Sequence, residues 1–205
     1  MPALWLNPFP LVLASKSSAR RAILGSAGIP FDTVAADVDE RAIEAPLLEK
    51  GAGAGDIALH LAEAKAAKVG VLKPGHLVLG ADQCLSFEGG LVTKAQNRAE
   101  AEARLKAFSG RTHELHSALC IMRDGTKLFE TVETAHLHCR IFSDAFIEAY
   151  AEAAGEALTE SVGAYKVEGL GIHLFEAIEG DHTTILGLPL LPLLQFLRAE
   201  GSLLS

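Results

Sequence analysis

Residues 11–24 read LVLASKSSARRAIL, and the order of side chains in this stretch decides how the fold begins. The apolar run Leu11–Ala14 is short and reads as a buried strand. Three hydroxyls and three cations follow within Ser15–Arg21, after which an apolar periodicity resumes. Ser17 or Ser18 can cap a helix running to about Ala27, with Gly28 at its C-terminal boundary and Pro30 just beyond. Lys16, Arg20 and Arg21 then fall near a helix start, where each exposed cation opposes the dipole at a cost of roughly 0.3–1 kcal/mol. A bound anion reverses that sign, because a strand, a donor-rich turn and a helix N-terminus are the parts of a phosphate site. The plainer alternative is an exposed basic helix face.

Working outward, Phe31–Ala35 reads as a second strand. Residues 37–56, DVDERAIEAPLLEKGAGAGD, are polar and then glycine-rich, and read as a mobile connection. DIALHLAEAKAAKVGVL (56–72) is a strong helix, with Ile57, Leu61 and Ala64 on one face and Asp56 as its cap. HLVLGAD (76–82) is a buried strand ending in an acid, and SFEGGLVT (86–93) a hairpin around Gly89-Gly90. Asn97–Phe108 is an amphipathic helix. Two long strands over about 113–123 and 127–140 are joined by a turn at Asp124-Gly125. Ser143 caps a helix to about Ala154, VGAYKVEGLGIHLFEAIEGDH (162–182) carries short strands, and Ile185–Glu200 contains a final apolar helix. The order predicts a mixed α/β (α+β) fold, and 205 residues suit one domain over 1–205 with room for two lobes around a cleft.

Composition removes several classes of function. The formal charge is 18 − 26 = −8, so a nucleic-acid polymer is a poor partner, whereas a small anion needs only a local cluster of cations. The apolar start is interrupted by Pro2, Pro8 and Pro10 and has no cation before Lys16, which argues against a signal peptide. No apolar run approaches the roughly 20 residues of a membrane span. Cys84, Cys120 and Cys139 are odd in number and lack CxxC spacing, so a cytoplasmic, reduced setting is expected, without a disulfide framework or structural zinc.

Several residues could carry chemistry. Asp82, an acid on a buried strand, can bind Mg²⁺ or activate water, or can simply cap a turn. Lys65 and Lys94 are isolated cations that on local sequence alone read as surface lysines. The glycines around Tyr165, Lys166 and Glu168 allow close ligand approach. His136 and His138 share a strand face, but two ligands without a third read as structural. Cys84 has no local cue for nucleophilic activation.

Together these pieces resemble the Maf family of nucleoside triphosphate pyrophosphatases, in family order from Leu11 to Glu200. The matching segments are LASKSSARRAIL, DVDE (37–40), LAEAKA, GADQ, the TKAQNRAEAEARLKAFSG segment and VGAYKVEGLGIHLFEAIEGDHTTILGLPL. Ser18 and Ala95 stand where the family pattern has proline, and Ala19 stands where Trp or Arg is usual. The resemblance implies an elongated mixed sheet flanked by helices, as in the related ITPase-like fold, with a central cleft. It implies cleavage of the α–β phosphoanhydride of a nucleoside triphosphate, with Ser15, Arg20, Arg21, Lys65 and Lys94 on the phosphates. Asp82 would be the base and a ligand of Mg²⁺ or Mn²⁺, with Glu40 a second metal candidate. Gln83 and Glu168 resemble the branch that acts on 7-methyl-GTP. A homodimer is compatible with the resemblance. The competing reading is a nucleotide-binding regulator of septum formation without significant turnover, and a phosphomonoesterase is a third.

Overall fold

The computed structural model describes residues 4–205. A seven-stranded mixed sheet runs β2-β1-β3-β5-β6-β7, with β4 paired to the end of β3. Its strands are β1 (Leu11–Leu13), β2 (Phe31–Thr33), β3 (Val78–Phe87), β4 (Gly90–Val92), β5 (Thr112–Arg123), β6 (Thr126–Cys139) and β7 (Phe175–Glu179). Strand β1 lies parallel to both β2 and β3, whereas β3, β5, β6 and β7 are successively antiparallel. The helices are α1 (Ser18–Ser26), α2 (Glu40–Glu49), α3 (Ala54–Gly70), α4 (Arg98–Phe108), α5 (Asp144–Ala154), α6 (Ala157–Glu160), α7 (His182–Ile185) and α8 (Leu190–Ala199). The expected mixed α/β architecture is therefore present.

Most of the local expectations have visible causes. The Ser17 hydroxyl accepts from Arg20 N at 3.3 Å and caps α1. The β5–β6 turn puts Asp124 and Gly125 at positive φ, +50° and +78°, as a tight hairpin of right-handed twist requires. The β3–β4 turn uses Glu88 and Gly89 in the same way, one residue earlier than expected, and Gly90 already belongs to β4.

Four expectations are corrected. Residues 37–56 are not a loose connection, because they hold α2 and the start of α3. Pro46 sits inside α2, but Asp39 caps the helix through Ala42 N at 3.1 Å, and Ile43 and Leu47, one turn apart, anchor it on the α3 side of the sheet. The cap of α3 is Gly53; Asp56 lies in the first turn and accepts from Gly53 N at 3.3 Å. Strand β3 does not end at Asp82, because pairing with β5 carries it on to Phe87. Residues 162–182 hold one strand, β7, preceded by turns and a 3₁₀ turn at Leu170–Leu174.

Strand β3 alternates between two packed layers. Leu79 and Ala81 face the cluster built with Leu24, Leu193 and Leu197. Val78 and Cys84 face the cluster built on Ile57, Ala58, Leu61 and Ala62 of α3. A third cluster, around Leu105, Phe108, Leu137 and Ile147, fills the far end of the sheet. Gly80 sits where α3 crosses β3, and a Cβ there would lie 2.0 Å from Ala62 O and 2.7 Å from Ala66 N. These are backbone atoms, so relief requires the helix to move. Gly80→Ala is expected to destabilise the fold by about 3 kcal/mol, the upper end for overpacking. Gly25→Ala, where a Cβ meets nothing within 4 Å in α1, should instead stabilise by roughly 0.5–1 kcal/mol. Urea denaturation of the two variants checks both signs.

Candidate active site

The site is built where β3 outruns its parallel neighbour. Strand β1 pairs with Val78 and Leu79, and Ala14 N donates to Leu79 O at 2.8 Å. Strand β4 takes up the same edge of β3 only from Leu85 onward. Between them Asp82, Gln83 and Cys84 border a cleft of about 730 Å³, which also reaches α1, α2 and the segments 160–168 and 185–187. Because successive side chains on a strand point to opposite faces, Asp82 and Gln83 work on opposite sides of the sheet.

Asp82 projects toward α3. Its carboxylate makes a very short contact with the Lys65 ammonium, which also pairs with Glu40 Oε1 at 2.7 Å. Lys65 is 8% exposed, so the sequence expectation of a surface lysine is corrected: the helix face that carries it is the packed one. Burial is the largest influence on Asp82 and raises its pKa; Lys65 and Arg20 pull it down, and Glu40 pushes it up. Glu44, one turn from Glu40 on α2, is also raised, first by burial and then by Glu40 and Asp82. Two carboxylates, Asp82 and Glu40, thus share one ammonium, with Glu44 nearby on α2 and Asp82 the least solvated of the three.

Arg20 forms the other wall. Its Nε donates to Gly187 O at 2.8 Å and its Nη1 to Ser15 Oγ at 3.1 Å. Burial lowers the guanidinium pKa while Asp82 and Glu40 raise it. Burial is thus the larger influence on this cation, and Gly187 O with the field of Asp82 and Glu40 offsets part of its cost inside the protein before any anion binds. Ser15 is buried behind Arg20 and also accepts from Ser17 N at 3.2 Å. Arg21 is exposed and does not border the cleft.

Gln83 projects to the other face. Its amide nitrogen contacts Ser117 Oγ at 2.8 Å and the carbonyls of Thr184 and Ile185 at 3.0 Å each. Backbone carbonyls only accept, so the nitrogen must face them and Oε1 is left as an acceptor. Lys94 and Glu168 are both exposed and border the cleft. Cys84 also borders it, but burial pushes its thiol up to about 12, the opposite of an activated nucleophile.

The structure adds residues that sequence reasoning missed. Arg41 and Glu44 arrive on α2, the helix hidden by Pro46, and Glu44 was findable from its four-residue spacing to Glu40. Ser117, Thr184 and Gly187 reach the site only through tertiary contacts with Gln83 and Arg20, and no local signal marks them. His136 lies 3.4 Å from Glu114 and His138 3.4 Å from Glu179, away from the cleft. Among the described residues no group of three or more His, Cys, Asp or Glu side chains is arranged to hold a metal ion by itself.

The Maf-like protein family matches residues 10–200. The chain belongs to that family. A nucleoside triphosphate pyrophosphatase of Rhodopseudomonas palustris is 53% identical to this Maf-like chain over 201 residues, covering 98% of each. Proteins of the same name from Nitrobacter winogradskyi and Caulobacter vibrioides are 50% and 52% identical over 201 and 194 residues, covering at least 95% of this chain and 97% of each relative. Among solved structures, a HAM1 protein from Coxiella burnetii aligns with 64% of this chain and 73% of its own, with TM-score 0.40 and 17% identity, too loosely to carry an argument about the site.

Arg20 holds two elements at once, and its planar fork is what lets it do so. Arg20→Lys keeps the charge but lacks the planar fork whose Nε and Nη1 reach Gly187 O and Ser15 Oγ in separate directions. The variant is expected to lose roughly 1–3 kcal/mol of stability, as for a buried charged hydrogen bond left unmade. Urea denaturation measures the loss, and stability equal to wild type would show that the fork carries nothing.

Proposed function

We propose that this Maf-like protein hydrolyses nucleoside triphosphates to the nucleoside monophosphate and pyrophosphate. The observation that carries the reading is the buried Asp82–Lys65 ion pair, joined by the half-exposed Glu40, opening on the cleft beside the N-terminus of α1. Its nearly full-length similarity to proteins named for this activity supports it. In this reading water attacks the α-phosphorus. Asp82 accepts the proton, and the bond to the bridging oxygen breaks, with pyrophosphate leaving. A carboxylate whose pKa is raised by burial is a better base than one in water, and Lys65 holds it in place. Arg20, Lys65 and Lys94, with the free N–H groups at the start of α1, offset charge on the phosphates.

The site's own charge balance bears on a metal. Glu40, Glu44, Asp82, Glu160 and Glu168 border the cleft, against Arg20, Arg41, Lys94 and Lys166, with Lys65 behind them. Those cations are matched by carboxylates, so a triphosphate arrives without surplus positive charge to meet it. Mg²⁺ is commonly held by one or two carboxylates together with substrate phosphates, and Asp82 and Glu40 fit that donor set for Mg²⁺ or Mn²⁺. Such a cation supplies charge neutralisation of the phosphates.

The favoured substrate is a guanine-type nucleotide, with 7-methyl-GTP first. Gln83 Oε1 and the Glu168 carboxylate are both acceptors at the cleft. A guanine edge offers N1–H and N2–H₂ as adjacent donors, whereas thymine offers one N3–H between two carbonyls. Methylation at N7 adds positive charge and strengthens pairing to a carboxylate.

Two outcomes are expected. Asp82→Asn should fold normally and lose about 10²–10⁴ in turnover, as when a general base is removed. In H₂¹⁸O the wild type should place the label in the monophosphate, the mark of attack at the α-phosphorus. Label in orthophosphate, or near-normal turnover by Asp82→Asn, contradicts the mechanism. For the base, kcat/KM for 7-methyl-GTP, GTP, dTTP and UTP should rank the guanine nucleotides first, and Glu168→Gln should shift the ranking toward dTTP and UTP. An unchanged ranking removes Glu168 from base selection and leaves the reaction intact.

A further inference from the structure

The apolar cluster at the far end of the sheet contains a buried polar pair, His113 and Tyr165, with the Cys139 thiol 3.8 Å from the second ring nitrogen of His113. His113 of β5 is 1% exposed and Tyr165 is 6% exposed. His113 Nε2 and the Tyr165 hydroxyl are 2.6 Å apart, a short bond within the cluster that also holds Phe108, Leu137 and Leu174. The His113 ring stacks on Phe108 at 4.4 Å, and Phe175 meets the Tyr165 ring edge-on at 5.0 Å. Burial lowers the His113 pKa to about 4, so the imidazole is neutral near pH 7. Two polar groups that satisfy one another in an apolar core contribute little net stability over two apolar groups of the same shape. What they add is direction, because a hydrogen bond fixes a position along and around its axis where an apolar contact can slide.

Tyr165 is also the anchor of the segment that borders the cleft. Tyr165 N donates to Ser161 Oγ at 2.8 Å, and the Tyr150 hydroxyl donates to Ala164 O at 3.2 Å. Ala164 is held at φ +62°, unusual for a residue with a Cβ. At Gly163 a Cβ would lie 2.3 Å from the Tyr165 ring, and at Gly171 one would lie 2.5 Å from Lys166 O. From this anchor the chain runs directly to Lys166 and Glu168, which are exposed and border the cleft. Lys166 and Glu160 pair at 2.6 Å on the surface, where such a pair is a weak restraint.

We propose that Tyr165 and His113 are positioning residues for nucleoside recognition: their hydrogen bond sets where the 163–171 segment stands, and hence where Lys166 and Glu168 meet the nucleoside end of the substrate. The inference rests on the pyrophosphatase reading and goes beyond it by separating two parts of the site. The phosphate end is held by α1, Arg20, Lys65 and Lys94, none of which hydrogen-bonds to this pair. The nucleoside end depends on the pin.

The test compares wild type, Tyr165→Phe and the double variant His113→Leu/Tyr165→Phe. Readouts are kcat and KM for the best nucleoside triphosphate, the inhibition constant of inorganic tripolyphosphate, and Tm. Tyr165→Phe leaves His113 Nε2 unsatisfied, with only the Cys139 contact on Nδ1 remaining, and should lower Tm, while the double variant removes both polar groups of the pair and should recover most of it. In both variants KM should rise about 3- to 10-fold, the equivalent of one misplaced hydrogen bond, with kcat and the tripolyphosphate constant unchanged. KM returning to wild type along with Tm in the double variant would reduce the pair to core packing and overturn the proposal. So would a tripolyphosphate constant that rises in step with KM. If the wild type turns over no nucleoside triphosphate, the pyrophosphatase reading fails by itself. Amide hydrogen exchange then decides the pin: residues 166–171 exchange faster in the double variant, or the pin does not exist.

Discussion

At Gly80 the backbone of β3 comes so close to α3 that there is no room for a single carbon between them. The small residues Ala58, Ala62 and Ala66 form the matching surface of the helix. That contact fixes the distance between strand and helix, and the site follows from it. Asp82 is the next residue of β3 on the same face, and Lys65 lies between Ala62 and Ala66 along α3. A larger spacing would leave Lys65 reaching across solvent. The close one buries the ammonium against the carboxylate, with Glu40 brought in by α2. Burying this many charges is costly unless each finds a partner, so such a cluster contributes less to stability than to a defined chemical geometry.

Because β3 outruns β1, one strand serves two purposes. Its α3 face carries Asp82 and the ion cluster; its other face carries Gln83, oriented by carbonyls from α7. Strand β5 makes this extension possible by pairing with β3 from Val78 through Ser86, so the open edge borders the cleft without fraying the sheet. The C-terminal part of the chain closes the arrangement, since Thr184, Ile185 and Gly187 contribute backbone oxygens rather than side chains.

The elements legible in the sequence are those whose cause is local. Ser17 and Ser143 cap their helices, and Asp124-Gly125 turns its hairpin, as spacing alone predicts. Helix α2 was hidden because Pro46 interrupts it and none of its residues is fully buried. The end of β3 was misplaced because an acid after an apolar run resembles a boundary, whereas pairing with β5 overrides that preference. In the site, Asp82 stood out as a residue type, while Gln83 was marked only by the family resemblance. The burial of Lys65 was legible only from helical spacing, since it follows Ile57 and Leu61 at four-residue steps on the packed face of α3, whereas LAEAKAAK read by composition alone resembles a solvated helix.

Arg20 shows how the opening stretch works. A cation in the first turn of a helix is unfavourable in isolation, and α1 has no acid in its first turn to offset it. The compensation comes from far along the chain: Gly187 O accepts from its guanidinium, and Asp82 and Glu40 supply the negative field. The helix start is thereby tied to the C-terminal turn and to the carboxylate cluster at once. Arg21, next in sequence and facing solvent, has no such role. Residue type alone makes the two arginines equivalent. The 100° step between neighbours on a helix sends one into the cleft wall and the other out to water, and that step is what separates a structural cation from a surface one.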